Sequence, residues 1–247
     1  MDNKSLLREF LSNFNDDSFY ILTNINNVCE RLEAFVVPAL VEKKQVIIFT
    51  PHIRQIDYEF KRLRAMKLSV EKYDFNTEND ERERILNEFR QGSVQFLYAT
   101  PRMYMEKRNK EFKPFVHEMV KLGNLSCIVF NDAKAFLKYQ NDTTNYEGYA
   151  KFVELKDFCP SQKWVIIGED FLHTEDSKLI HRITTGLHIY KFKLITMENN
   201  RVMYCQTDKS GENIIQFACD DSENNLNSDS VDETGDETED ETKMHLE

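Results

Sequence analysis

Apolar residues fall along the chain in two alternating rhythms. Phe19-Tyr20-Ile21-Leu22 is a short β-branched and aromatic run, and Val28 to Val41 follows with apolar positions at helical spacing (Val28, Leu32, Phe35, Val36, Leu40). Gln45-Val46-Ile47-Ile48-Phe49 is nearly continuous in apolar residues, as expected of a strand covered on both faces. Pro51 stops it, and Ile53 to Met66 returns to a helical period through Ile56, Phe60 and Leu63. The alternation continues with a strand near Leu68 to Tyr73 and a polar helix, Asp80 to Arg90, that carries Ile85, Leu86 and Phe89 on one side. Further strands are predicted at Val94 to Ala99, Cys127 to Phe130 and Trp164 to Ile167, with helices around Phe112 to Leu122 and Tyr146 to Phe158. Strands alternating with helices of this length predict an α/β fold, a mostly parallel sheet flanked by helices on both faces.

Past Gly168 the pattern changes. It predicts a helix over Ser177 to Thr184, strands over Leu187 to Thr196 and Arg201 to Gln206, and a last apolar run at Ile214 to Ala218. From Asp220 onward Asp, Glu, Asn, Ser and Thr dominate, and a disordered tail is expected because little apolar surface is left to offset the entropy of ordering. The expected organisation is a domain over 1–175, a connector-like extension with short strands over 176–219, and an acidic tail over 220–247.

Charge sharpens that division. The net charge of −11 over 247 residues belongs wholly to the tail, where twelve acidic residues face Lys243 alone between Asp220 and Glu247, so the body up to Cys219 is neutral. No stretch approaches the roughly 18 to 20 apolar residues of a membrane span, and the start, Met1 to Phe10, lacks the apolar core of a signal peptide. The expectation is a soluble, non-secreted protein with no membrane partner. Five scattered cysteines with no Cys-x-x-Cys pair suggest neither a disulfide framework nor a zinc site. The seven glycines begin only at Gly92, which removes every glycine-rich phosphate cradle from the first third of the chain.

In an open parallel sheet ligands bind at the carboxyl ends of the strands, so the residues just after each apolar run carry the chemistry. They are Thr23 to Asn27, Thr50-Pro51-His52, Ala99-Thr100-Pro101-Arg102, Asn131-Asp132-Ala133-Lys134 and Gly168-Glu169-Asp170. This series resembles the first RecA-like domain of superfamily 2 helicases, the P-loop NTPase type, and most specifically the RecQ DNA helicases. Val37-Pro38-Ala39-Leu40 is similar to the close of the helix after that family's phosphate loop, and Ile47 to Pro51 to motif Ia. Phe96 to Pro101 is similar to motif Ib, and Ile128 to Lys134 stands in the place of motif II. Phe158-Cys159-Pro160 with Trp164 to Ile167 resembles the approach to motif III. Ile195 to Tyr204 resembles the connector into the second RecA-like domain.

The family would use ATP and Mg²⁺ for 3′-5′ DNA unwinding, and the departures from its pattern fall on that chemistry. The resemblance puts Arg31 at the phosphate-loop lysine with no glycine beside it; a guanidinium fork does not replace a compact ammonium there. Asn131 stands for the metal-binding Asp, Asp132 for the water-activating Glu and Lys134 for the coupling His. The expectation is therefore no catalytic residue, no bound cofactor and no metal site, a divalent cation held by a carboxylate cluster of Asp132, Glu169 and Asp170 being the less favoured reading. Thr50, Pro51, Arg54, Thr100, Pro101 and Arg102 are the candidate nucleic-acid contacts, with Lys107, Arg108, Lys110 and Lys134 as a basic rim. Thr-Pro equally well only ends a strand. His52 invites acid/base chemistry but shows no partner in the sequence.

The function these residues imply is a RecQ-like, catalytically inactive module that binds nucleic acid or protein. The alternative is a helicase subunit or fragment that needs a partner to supply the second RecA-like domain. Expected partners are DNA, weakly held, a protein on the face that second domain would cover, and a basic partner for the tail. The tail's Ser230, Thr234 and Thr238 each precede an acid by three places, the pattern acidophilic kinases accept. A purely solubilising tail is the other reading. A nuclear address follows from the family resemblance alone.

Overall fold

The computed structural model describes residue 14 and residues 19–23, 28–105, 109–132, 146–168, 191–196, 201–207 and 213–217. The tail, the helix expected over Ser177 to Thr184, and Lys107, Arg108, Lys134, Glu169 and Asp170 lie outside the described residues.

Among the described residues the predicted runs become nine strands in one sheet: β1 (Phe19–Thr23), β2 (Gln45–Phe49), β3 (Val70–Tyr73), β4 (Phe96–Ala99), β5 (Leu125–Asn131), β6 (Trp164–Gly168), β7 (Lys191–Thr196), β8 (Arg201–Thr207) and β9 (Asn213–Phe217). Their order is β3-β4-β2-β5-β6-β1-β7-β8-β9. From β3 to β7 every pairing is parallel, and β8 and β9 add to the β7 edge in antiparallel fashion. The helices are α1 (Val28–Glu42), α2 (Ile53–Ala65), α3 (Asn79–Arg90), α4 (Pro101–Met105), α5 (Phe112–Leu122) and α6 (Tyr146–Phe158).

Period-2 alternation in each strand splits the core into two layers. Tyr20, Leu22, Val46, Ile48, Phe96, Tyr98, Cys127, Val129, Val165 and Ile167 meet α1 and α2 on one face. Phe19, Ile21, Ile47, Phe49, Leu97, Ile128, Phe130, Trp164 and Ile166 meet α3 to α6 on the other. That second layer is aromatic: Phe49 touches Tyr104, Phe112, Phe130 and Phe152 with ring centroids 5.0 to 6.4 Å apart. The short helix α4 had no periodic signal, since five residues are too few to show one. Pro101 opens it, a position where the missing N–H costs nothing.

The connections place the site. α2, which leaves β2, packs Ile56 and Leu63 into the first layer, whereas α6, which follows β5, packs Phe152 and Leu155 into the second. β2 and β5 are neighbours. Chains leaving adjacent strands toward opposite faces open a crevice at their carboxyl ends.

Candidate functional site

The crevice is lined by the segments that follow β2, β4 and β5. His52, the residue before α2, sends Nε2 to within 3.1 Å of Asp132 Oδ2 just past β5, joining two side chains 80 positions apart. His52 is exposed and Asp132 half-buried. Asp132 adopts φ 97°, a left-handed backbone that disfavours any side chain, while its N–H donates to the Ile167 carbonyl at 3.0 Å. The backbone bond to β6 and the side-chain bond to His52 together hold a conformation that would otherwise relax.

Beneath this pair lies a polar knot. Glu59 on α2 is fully buried, and its carboxylate accepts from Gln55 Nε2 at 3.1 Å, from Tyr98 Oη at 2.9 Å and from Asn131 Nδ2 at 3.0 and 2.9 Å. Arg31 on α1, only 4% exposed, brings Nε to 3.3 Å from Glu59 Oε1. A buried carboxylate is costly unless charge and hydrogen bonds compensate it, and here one cation and three neutral donors do so. Burial first and the Glu59 charge second push the Tyr98 phenol well above its ordinary pKa, so it stays a donor.

The residues expected to do chemistry therefore divide into two groups. Arg31 and Asn131 point into the interior and share Glu59. Thr50 and Thr100 are buried at the ends of β2 and β4, and their hydroxyls, like Asn131 Oδ1, have no hydrogen-bond partner among the described residues. Pro101 is buried with them and Pro51 is half-buried. Arg54, in the first turn of α2, and Arg102, in α4, are exposed on the rim. The Arg102 guanidinium lies over the Phe75 ring, 4.8 Å from its centroid. Lys110 is exposed near the start of α5. Glu59 is the residue the sequence reading missed, although it left a signal: it sits at the helical spacing of Ile56 and Leu63, a charge on an apolar stripe. Among the described residues no group of three or more His, Cys, Asp or Glu side chains could hold a metal ion, and no helix is long and apolar enough to cross a membrane.

Residues 7–103 match the model of the helicase conserved C-terminal domain. The fold is that of a helicase RecA-like domain. No curated protein matches the chain. The C-terminal domain of Dbp5 from S. cerevisiae, solved bound to Gle1 and IP6, is 13% identical, with 74% of this chain and 92% of that one covered and a TM-score of 0.50. The DUF1998 helicase MrfA bound to DNA and AMPPNP is 11% identical, with 79% of this chain but 27% of that one covered and a TM-score of 0.58. At such identities the likeness is one of fold. The match is to the C-terminal helicase domain, whereas the motif order pointed to the first RecA-like domain. The α/β order that suggested a RecA-like domain stands, and the match favours the C-terminal domain over the first one.

Proposed function

We propose that this helicase-like domain binds the backbone of single-stranded nucleic acid across the β2, β4 and β5 ends without turning over ATP. The observation that carries the second half is the pairing of Arg31 and Asn131 with one buried carboxylate, Glu59. Under the first-domain resemblance those two positions would be the phosphate-loop lysine and the metal-binding acid; here both hold α1, α2 and β5 together, and the family match over residues 7–103 is to the C-terminal helicase domain instead. The first half is supported by Arg54 and Arg102, exposed beside the crevice with His52. Such contacts attract phosphates without reading bases, so binding should be weak and fall steeply with salt. The narrower RecQ-type identity rests on the motif order from Val37 to Tyr204, and a nuclear address on that identity.

The test is fluorescence anisotropy of labelled single-stranded DNA at two salt concentrations, with ATP hydrolysis measured in parallel. The expected result is salt-sensitive binding, weakened by Arg54→Ala and by Arg102→Ala, with no strand-stimulated hydrolysis. Strand-stimulated hydrolysis by the full chain, lost in an Arg31→Ala variant that circular dichroism shows to be folded, would instead support the partner-dependent helicase subunit. Tight binding of a fluorescent ATP analogue with Mg²⁺ would point the same way.

A further inference from the structure

At the opposite end of the sheet, where β2, β4 and β5 begin, a groove of about 530 Å³ is lined by Leu40, Lys43, Lys44, Gln45, Ser69, Arg90, Gln91, Gly92, Gln95 and Asn124. Three of these are cationic and none is acidic. The C-terminal ends of α1, α3 and α5 converge here, and lysines at helix ends ordinarily serve the unpaired final carbonyls. In this groove several of those carbonyls, Ala39, Asn87 and Phe89 among them, already accept from other donors. Gln45 Nε2 donates to Phe89 O at 2.5 Å and Val94 O at 2.7 Å, and Gln95 Nε2 to Ala39 O at 3.2 Å and Lys44 O at 3.1 Å. Backbone N–H groups serve further carbonyls of the rim: Lys44 N donates to Ala39 O, Gln91 N to Asn87 O, Gly92 N to Phe89 O, Gln45 N to Asn124 O and Gln95 N to Ser69 O.

Those acceptors are used, while two of the three cations are not. Lys43 and Lys44 are exposed and form no ion pair or hydrogen bond through their ammonium groups among the described residues. Arg90 is fixed at the groove wall by Glu118 at 3.1 Å and Asn87 at 3.0 Å, with its guanidinium 5.1 Å from the Phe115 ring centroid. A concave, donor-rich surface with two unengaged ammonium groups and no carboxylate among its lining fits an oxygen-rich anion. The volume lies in the range of small-molecule sites, roughly 300 to 1,000 Å³. We propose that this groove is a binding site for a compact phosphate-bearing anion, held by Lys43 and Lys44 and independent of the crevice at the other end of the sheet.

Isothermal titration of the full chain with inorganic tripolyphosphate tests this. Lys43 has φ 53°, so Lys43→Gly relieves backbone strain, and the pair Lys43→Gly with Lys44→Gln should keep the fold, as checked by circular dichroism. The expected result is salt-sensitive binding that the double variant weakens about tenfold or more, since one charge-assisted hydrogen bond is worth about a decade of affinity. The part of the binding that the double variant removes should persist in Arg54→Ala, whose side chain lies at the other end of the sheet. Absence of binding, or binding indifferent to the double variant, would overturn the proposal. A glutamate-rich peptide of equal charge that binds more tightly than tripolyphosphate would overturn the phosphate assignment and make the groove a site for acidic peptide.

Discussion

Asn131 donates its side-chain amide to both carboxylate oxygens of Glu59, at 3.0 and 2.9 Å, from a strand end 72 positions further along the chain. The bond ties the floor of the crevice to α2, and Arg31 ties the same carboxylate to α1. Removing one partner of a buried pair leaves the other charge uncompensated. Glu59→Ala should therefore destabilise the domain by about 3 to 5 kcal/mol. Glu59→Gln, which still accepts from Tyr98, should cost less. Joint replacement of Arg31 by Met and Glu59 by Gln should recover part of the loss. Urea denaturation of the three variants checks the order, and additive losses in the joint variant would show that the two side chains do not act as a pair.

Lys67 follows α2 with φ 61°, a left-handed position at a helix end where glycine is favoured. Lys67→Gly should stabilise the domain by about 1 kcal/mol, read as a shift of the denaturation midpoint at unchanged slope. Lys67→Ala keeps the strain and should give no such gain.

Phe49 sits at the centre of the aromatic layer and has no exposure. Phe49→Ala removes its edge and stacking contacts with Tyr104, Phe112, Phe130 and Phe152, and should cost about 3 to 5 kcal/mol. Phe49→Leu keeps most of the volume and should cost distinctly less. Equal losses in the two variants would mean that the layer repacks around the gap.

His117 on α5 lies 2.9 Å from Tyr104 Oη through Nε2, with its ring 4.6 Å from that of Phe158. Burial first and the Lys113 charge second hold its pKa below the usual imidazole value, while Glu154 acts the other way. The folded protein thus takes up this proton less readily than the unfolded chain. The stability it confers is fully present above the unfolded value of about 6.5 and is lost as pH falls through it toward the folded value. Denaturation midpoints should drop between about pH 7.5 and 5.5, and drop less in His117→Phe. An equal drop in that variant would assign the effect to other groups.

His52 and Asp132 form an exposed pair, so the bond itself contributes little, on the order of 1 kcal/mol or less. Asp132→Gly should relieve the φ 97° backbone and leave stability unchanged or raised, although the pair is lost. If stability falls instead, the side-chain contact outweighs the strain.

Nearly every strand and helix of this domain was legible in the sequence. A strand buried on both faces shows as an unbroken run such as Val46 to Phe49, and an amphipathic helix shows as Ile56, Phe60 and Leu63 at helical spacing. Both patterns are local and survive without knowledge of the partner face. The balance of charge in the body and the placing of all the net negative charge after Cys219 were equally plain. The site was legible only as a set of strand ends. What tertiary structure decided was which of those residues face outward: Arg54, Arg102 and His52 do, whereas Arg31 and Asn131 turn inward to Glu59. It also brought Lys43 and Lys44 to one groove with Gln45, Gln95 and Arg90. Periodicity reports that a position is buried, but a hydrogen bond across 72 positions depends on the sheet order β3-β4-β2-β5-β6-β1, which no local pattern encodes. The physical reason is that burial is a property of one residue and its near neighbours, while the compensation of a buried charge is a property of the whole fold.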